Sequence, residues 1–252
     1  MYLCRVGLVI LMVEIRFQEP LGQKFEIKEV DINKIHPHEE IIPRELERVK
    51  NSLLEDGILK YPVVVSQDYY VLLDGHHRWK ALQELGCKKI PCVVFDYFND
   101  MAIMVDTWYP VINLTLNEVL SKINEKYGDK SPIIPVEIRD PIEAKAKVDR
   151  REFGVILTNG DDFFGIKRDR NDIMTFFRAN FLKNMIYFDD WRWAMKRAKE
   201  KNQCAVLTYS YTKSEITEAA INGVVFTPKT TRHVVPTRYP RINIPIDEIL
   251  EY

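Results

Sequence analysis

The side chains best suited to chemistry in this chain are its five histidines, and they fall into three short polar motifs. His36 and His38 lie in "IHPHEE", His76 and His77 in "LLDGHHRW", and His233 in "PKTTRH". None lies between His77 and His233. Imidazole titrates near neutrality and donates two hydrogen bonds when charged, so this distribution suits a site that holds phosphate and moves protons. A zinc cage does not fit. Adjacent histidines in an Asp-Gly turn cannot readily both ligate one metal, and no H-E-x-x-H is present.

"DGHHR" joins the end of a strand to the start of a helix. Gly75 lets the backbone turn tightly and approach a ligand. The helix that follows offers unpaired N–H groups and the positive end of its dipole, a ready anion site. His76, His77 and Arg78 add donors, and an arginine can grip phosphate through two nitrogens. Asp74 cannot be a further phosphate ligand. Beside a phosphate cradle its natural role is to hold a divalent cation that bridges the phosphates. Near the C-terminus, Lys229, Thr230, Thr231, Arg232 and His233 form a second set of donors, suited to a carboxylate and a phosphate.

The elements that must position these residues can be read from periodicity and punctuation. "KFEIKEVD" (24–31) reads as a strand, and Pro43 opens a helix through "RELERVKNSLLEDG" that stops at Gly57. "YPVVVSQDYYVLLD" reads as a hairpin, "HRWKALQELG" as a helix ending at Gly86, and "IPCVVFDYF" as a returning strand. The texture changes at Asn113. The helix "TLNEVLSKINEKYG" precedes a hairpin, "FGVILTNGDDFFGIK", with an Asn-Gly turn signal at 159–160. Aromatic-rich helical segments run to Lys201, followed by the strand "CAVLTYSY" and a helix from a Thr212–Glu215 capping box to Gly223. The expectation is an α/β (α+β) fold with a mixed-sheet domain over 1–112 and a second, smaller α/β subdomain over 113–223. A C-terminal segment, 224–252, returns "PKTTRH" over the first domain. "GDDFFGIK" only approximates a phosphate-binding loop and reads as a plain hairpin, and the aromatics from Phe176 to Trp193 read as core.

Length and composition set the outer limits. The 252 residues, 46% hydrophobic and 29% charged, describe a soluble globular chain. Thirty-six basic against thirty-seven acidic side chains leave a net charge of −1, and so no global field for nucleic acid. Cys4, Cys87, Cys92 and Cys204 show no metal spacing and read as buried thiols of a reducing cytoplasm. The apolar run in "MYLCRVGLVILMVEIRF" is too short for a membrane span and is expected to be a strand, with Met12 an alternative start.

A strand–DGHHR–helix unit behind "KIHPHEE" resembles the ParB/sulfiredoxin-like superfamily, over Asp31 to Tyr97. Sulfiredoxins carry a cysteine where this chain has His76, which excludes reductase chemistry through that residue. The arginine-rich box and helix-turn-helix of chromosome-partitioning ParB proteins are not evident. "KIHPHEE", "DTWYP" and "FTPKTTRHVVP" together are similar to segments of the archaeal free L-serine kinases. That resemblance implies phosphoryl transfer from ADP or ATP to L-serine, with Mg²⁺, giving O-phospho-L-serine for cysteine biosynthesis. It implies Glu39 as general base, with Glu40 its neighbour and Asp74 the alternative base and metal ligand. It puts Gly75, His76, His77 and Arg78 on the donor phosphates and His77 also close to the transferred group. Lys229, Thr230, Thr231, Arg232 and His233 would contact the phosphoserine, with Trp108 walling the amino-acid pocket. A cytoplasmic monomer or small homo-oligomer, binding serine and nucleotide but neither nucleic acid nor membrane, is expected. The competing reading is a ParB-like nucleotide-dependent DNA-binding or regulatory protein that uses the same cradle.

Overall fold

Residues 26–235 and 241–250 are described by a computed structural model. The strand expected in the N-terminal apolar run, and Cys4, lie outside them. The chain opens with β1 (Glu26–Asp31), α1 (Pro43–Asp56), β2 (Ile58–Leu59), β3 (Val63–Ser66), β4 (Leu72–Asp74), α2 (His76–Glu84) and β5 (Lys89–Phe95). Four of the strands form a sheet in the order β1-β5-β3-β4. The β3–β5 pair is parallel and the others antiparallel, which makes the expected mixed sheet. Every residue of β3 is buried, as its β-branched run demands. Helix α1 begins with Pro43 and ends at Gly57, whose left-handed backbone (φ 64°) lets its N–H reach the Leu53 carbonyl. Its Leu46, Val49 and Leu53 share a face that packs with Trp79 and Leu82 of α2 in one core.

The second half begins with β6 (Met104–Asp106), β7 (Tyr109–Ile112), α3 (Leu116–Tyr127), β8 (Ile133–Pro135), α4 (Pro141–Asp149), β9 (Val155–Thr158) and β10 (Phe163–Ile166). It continues with α5 (Arg170–Phe181), β11 (Met185–Phe188), α6 (Trp191–Lys201) and β12 (Cys204–Thr208). Six of these strands form a sheet in the order β11-β7-β12-β9-β10-β8, and the pairs along it are antiparallel. Phe176, Phe177 and Phe181 of α5 are buried against it, so this stretch is core as expected, although Trp193 is exposed. The hairpin at 159–160 differs in detail. Phe163 pairs with Thr158, so the loop has four residues, and Asn159 Oδ1 accepts from the N–H groups of Asp161 and Asp162.

The chain then returns through α7 (Lys213–Ile221), β13 (Arg232–Val234), β14 (Ile244–Pro245) and α8 (Ile246–Leu250). Strand β14 pairs with β2, and Ile246 and Ile249 enter the first core. Two compact units result. One holds the described residues up to Met104 with Thr212–Pro228 and those from His233 on; the other is Val105–Tyr211 with Lys229–Arg232. The boundaries expected after 112 and 223 thus fall after 104 and 211, and the C-terminal segment is shared. Helix α7 belongs to the first unit, where Lys213 Nζ donates to the Asp100 carbonyl at 3.0 Å. Its capping box and apolar face are local signals, and they do not say which core receives them. Cys87, Cys92 and Cys204 are free and buried. Among the described residues no helix is long and apolar enough to cross a membrane.

Candidate active site

In the first unit β4 ends on Asp74 and α2 begins at His76, with Gly75 as the N-cap at φ 94°. Gly75 brings no side chain, so no side-chain hydrogen bond caps the first-turn N–H groups of α2. A Cβ at this position would lie 2.8 Å from Arg78 Nη2. That nitrogen donates to Asp74 Oδ2 at 2.7 Å and to the Pro62 carbonyl at 3.2 Å. Arg78 therefore braces the turn from inside, and Asp74 carries its positive partner with it.

The two adjacent histidines reach the stretch that runs from "IHPHEE" to Ile42. His76 Nε2 accepts from the backbone N–H of His38 at 3.4 Å, and His77 Nε2 accepts from that of Ile42 at 3.1 Å. A ring nitrogen that accepts carries no proton, so both imidazoles hold theirs on Nδ1. Glu39 and Glu40 lie between the two stapled amides. The same segment is held on its flanks: His36 N donates to the Tyr70 carbonyl at 3.1 Å and Glu40 N to that of Phe226 at 2.9 Å. Glu39 is half-buried and Glu40 exposed.

His38 is buried, with its ring centroid 4.7 Å from that of His76 and 5.6 Å from that of His233. Burial first, then the neighbouring imidazoles of His76 and His233, holds the His38 pKa well below its ordinary value. Burial likewise brings His76 to about 3 and His233 to about 4, although Asp74 opposes both shifts. These three rings are neutral near pH 7, which corrects the expectation that they titrate there and donate twice. The His233 ring donates to the Leu73 carbonyl, and its Nε2 lies 2.9 Å from the Tyr97 hydroxyl. Burial pushes the Tyr97 phenol up, so it keeps its proton and donates to that nitrogen. Sequence reading missed Tyr97. It closes an apolar strand run, and only its fully buried position marks it out.

The remaining candidates lie in the second unit. Lys229 Nζ sits 4.7 Å from the Trp108 ring centroid and the Arg232 guanidinium 5.7 Å from it. Arg232 also pairs with Asp106 at 3.6 Å and Asp189 at 3.3 Å. Thr230 and Thr231 are buried, and the Thr230 carbonyl accepts from Thr107 Oγ1 at 2.9 Å. "PKTTRH" is therefore divided. Lys229–Arg232 accompany Trp108, whereas His233 joins His38, His76 and Tyr97, and one peptide bond links the two sets.

Among the described residues no group of three or more His, Cys, Asp or Glu side chains can hold a metal ion. Asp74 is a single, half-exposed carboxylate paired with Arg78. It fits Mg²⁺ only in the form common to phosphoryl-transfer sites, in which nucleotide phosphates and water supply most of the ligands.

Residues 16–106 match the ParB N-terminal domain. The chain is 32% identical over 232 residues to an ADP-dependent L-serine kinase of Thermococcus kodakarensis, covering 87% of this chain and 91% of the relative. It is 30% identical over 230 residues to an ATP-dependent L-serine kinase of Staphylothermus marinus, covering 87% and 90%. A solved free serine kinase in complex with AMP matches it with a TM-score of 0.72 at 30% identity, over 89% of this chain and 93% of that one. These relatives make the chain a phosphotransferase, one that carries a ParB-type domain over residues 16–106. Within that class, the chain belongs to the free L-serine kinase family.

Proposed function

We propose that this chain transfers a phosphoryl group from ADP or ATP to the hydroxyl of free L-serine, and that the O-phospho-L-serine formed feeds cysteine biosynthesis. The observation that carries the reading is the pair of imidazole–amide bonds between α2 and the segment bearing Glu39. They couple an anion-receptive helix start to a half-buried carboxylate within one unit, the pairing that phosphoryl transfer to an alcohol requires. The first-turn amides behind Gly75 and the Nδ1–H groups of His76 and His77 donate to the donor phosphates. Arg78 keeps that turn in shape. Glu39 accepts the serine hydroxyl proton as the oxygen attacks, and Glu40, exposed, stays outside that role. Lys229 and Arg232 over Trp108 hold the amino acid, and Thr230 and Thr231 fix the backbone that presents them. Mg²⁺ on the phosphates, with Asp74 as its protein carboxylate, would neutralise charge that develops during transfer.

The direct test incubates the protein with L-serine, Mg²⁺ and, separately, ADP, ATP or CTP, and measures phosphoserine. Product with ADP or ATP is expected; none with any nucleotide would sink the reading. Glu39→Gln keeps the shape but removes the proton acceptor. Turnover should fall by about 10²–10⁴ while calorimetry still shows nucleotide binding. Near-normal turnover in that variant would leave Asp74 as the base.

A further inference from the structure

Arg170 is 1% exposed although it opens α5, where a cation meets the positive end of a helix dipole. Burying a guanidinium is costly unless its donors are used. Its Nε donates to Thr208 Oγ1 at 2.6 Å, and its Nη2 to Thr107 Oγ1 at 2.8 Å and the Thr230 carbonyl at 3.1 Å. The Tyr209 and Tyr211 rings lie 5.6 and 4.9 Å from it. Gly154 makes the approach possible, since a Cβ there would stand 2.0 Å from the Arg168 carbonyl oxygen and 3.2 Å from Arg170 N.

We propose that Arg170, acting with Thr107, is a positioning residue for the amino-acid acceptor: the pair locks Lys229–Arg232 in the backbone conformation that presents Lys229 and Arg232 over Trp108. Thr107 donates its own hydroxyl proton to the carbonyl that Arg170 grips, and Trp108 follows it directly in the chain. One guanidinium thus ties together the two strips of backbone that carry the indole and the cations. Lys229 sits at φ 66°, a conformation an L side chain adopts only when its surroundings impose it. The carbonyl under double hydrogen bond belongs to the next residue. Small slippage there would swing the Lys229 ammonium off the ring, and a free amino acid offers too little area to compensate.

The inference rests on the proposed role of Trp108, Lys229 and Arg232 in holding serine, and the experiment separates the two. Thr107→Val, Thr107→Ser, Arg170→Lys and Trp108→Ala are compared for serine KM, kcat and nucleotide affinity by calorimetry, with folding checked by circular dichroism. Thr107→Val should raise the serine KM about tenfold with nucleotide affinity unchanged, while Thr107→Ser, which keeps the hydroxyl, stays near the parent. Arg170→Lys supplies a point charge in place of a planar fork and should also raise KM. If Arg170→Lys does not fold, the Thr107 pair decides. Unchanged KM in Thr107→Val beside a raised KM in Trp108→Ala overturns the positioning role. A parallel loss of nucleotide affinity also overturns it, because the effect would then be general. Unchanged KM in Trp108→Ala as well removes the acceptor reading itself, and the inference with it.

Discussion

At Gly75 one absent carbon shapes the turn between β4 and α2. Its φ of 94° disfavours an L side chain, and a Cβ would press within 2.8 Å of the Arg78 nitrogen that bonds Asp74. Gly57 is the natural control: its φ is 64°, but nothing lies within 4 Å of its Cβ position. Alanine at either site should cost about 1 kcal/mol of stability through backbone strain. Only Gly75→Ala should also displace Arg78 and weaken nucleotide binding measured by calorimetry. Equal nucleotide affinity in the two variants would mean that the Arg78 brace does not shape the cradle. The sequence identified this turn correctly, because Asp-Gly before a helix is a local signal. It could not show that Arg78 turns inward, since that depends on where the Pro62 carbonyl lies, sixteen residues away.

At the scale of elements, α2 is held to the His38–Ile42 stretch by side-chain nitrogen. His77→Ala removes the acceptor of the Ile42 N–H, at a cost of about 1 kcal/mol, and should quicken hydrogen exchange at that amide. His77→Gln offers a carbonyl oxygen in its place and should restore part of the protection. No change at Ile42 in the alanine variant would show that the bond does not hold the segment. Helix α1 with its Pro43 start and Gly57 stop, and the capping box at Thr212, were legible in the sequence because each is a short-range pattern. Strand β11 was not. "MIYF" is four residues between two helices, and its partner β7 lies more than seventy residues earlier in the chain. The staple itself joins residues 35 and 38 positions apart, which no local pattern reveals. What could be read was that histidines clustered in polar motifs belong together; their neutral state follows only from the burial that folding imposes.

That burial makes the whole molecule sensitive to acid in a window set by its histidines. His76 is brought to about 3, His233 to about 4 and His38 well below its ordinary value, against 6.5 for each in an unfolded chain. Between those limits the unfolded state binds more protons than the folded one, so stability rises with pH. The contribution is fully present above about 6.5 and is lost as pH falls from there, toward about 4 for His233 and about 3 for His76. Each such imidazole steepens the unfolding equilibrium by up to tenfold per pH unit, and the three act within one cluster. Carboxylates act lower. Lys60 holds Asp56, Thr115 holds Glu118, Arg150 holds Glu152 and Arg192 holds Asp190 below their ordinary values of 3.8 to 4.5. Stability drawn from those groups disappears only as pH falls below about 4.5. With 36 basic and 37 acidic side chains, net repulsion contributes little near neutrality. Tm followed by circular dichroism should therefore be nearly flat from pH 8 to pH 7 and fall steeply between pH 6 and pH 4.5. His38→Gln removes one titrating group and should shallow that slope while leaving the decline below pH 4. A Tm that holds constant from pH 7 to pH 5 would mean the cluster is not kept neutral by the fold.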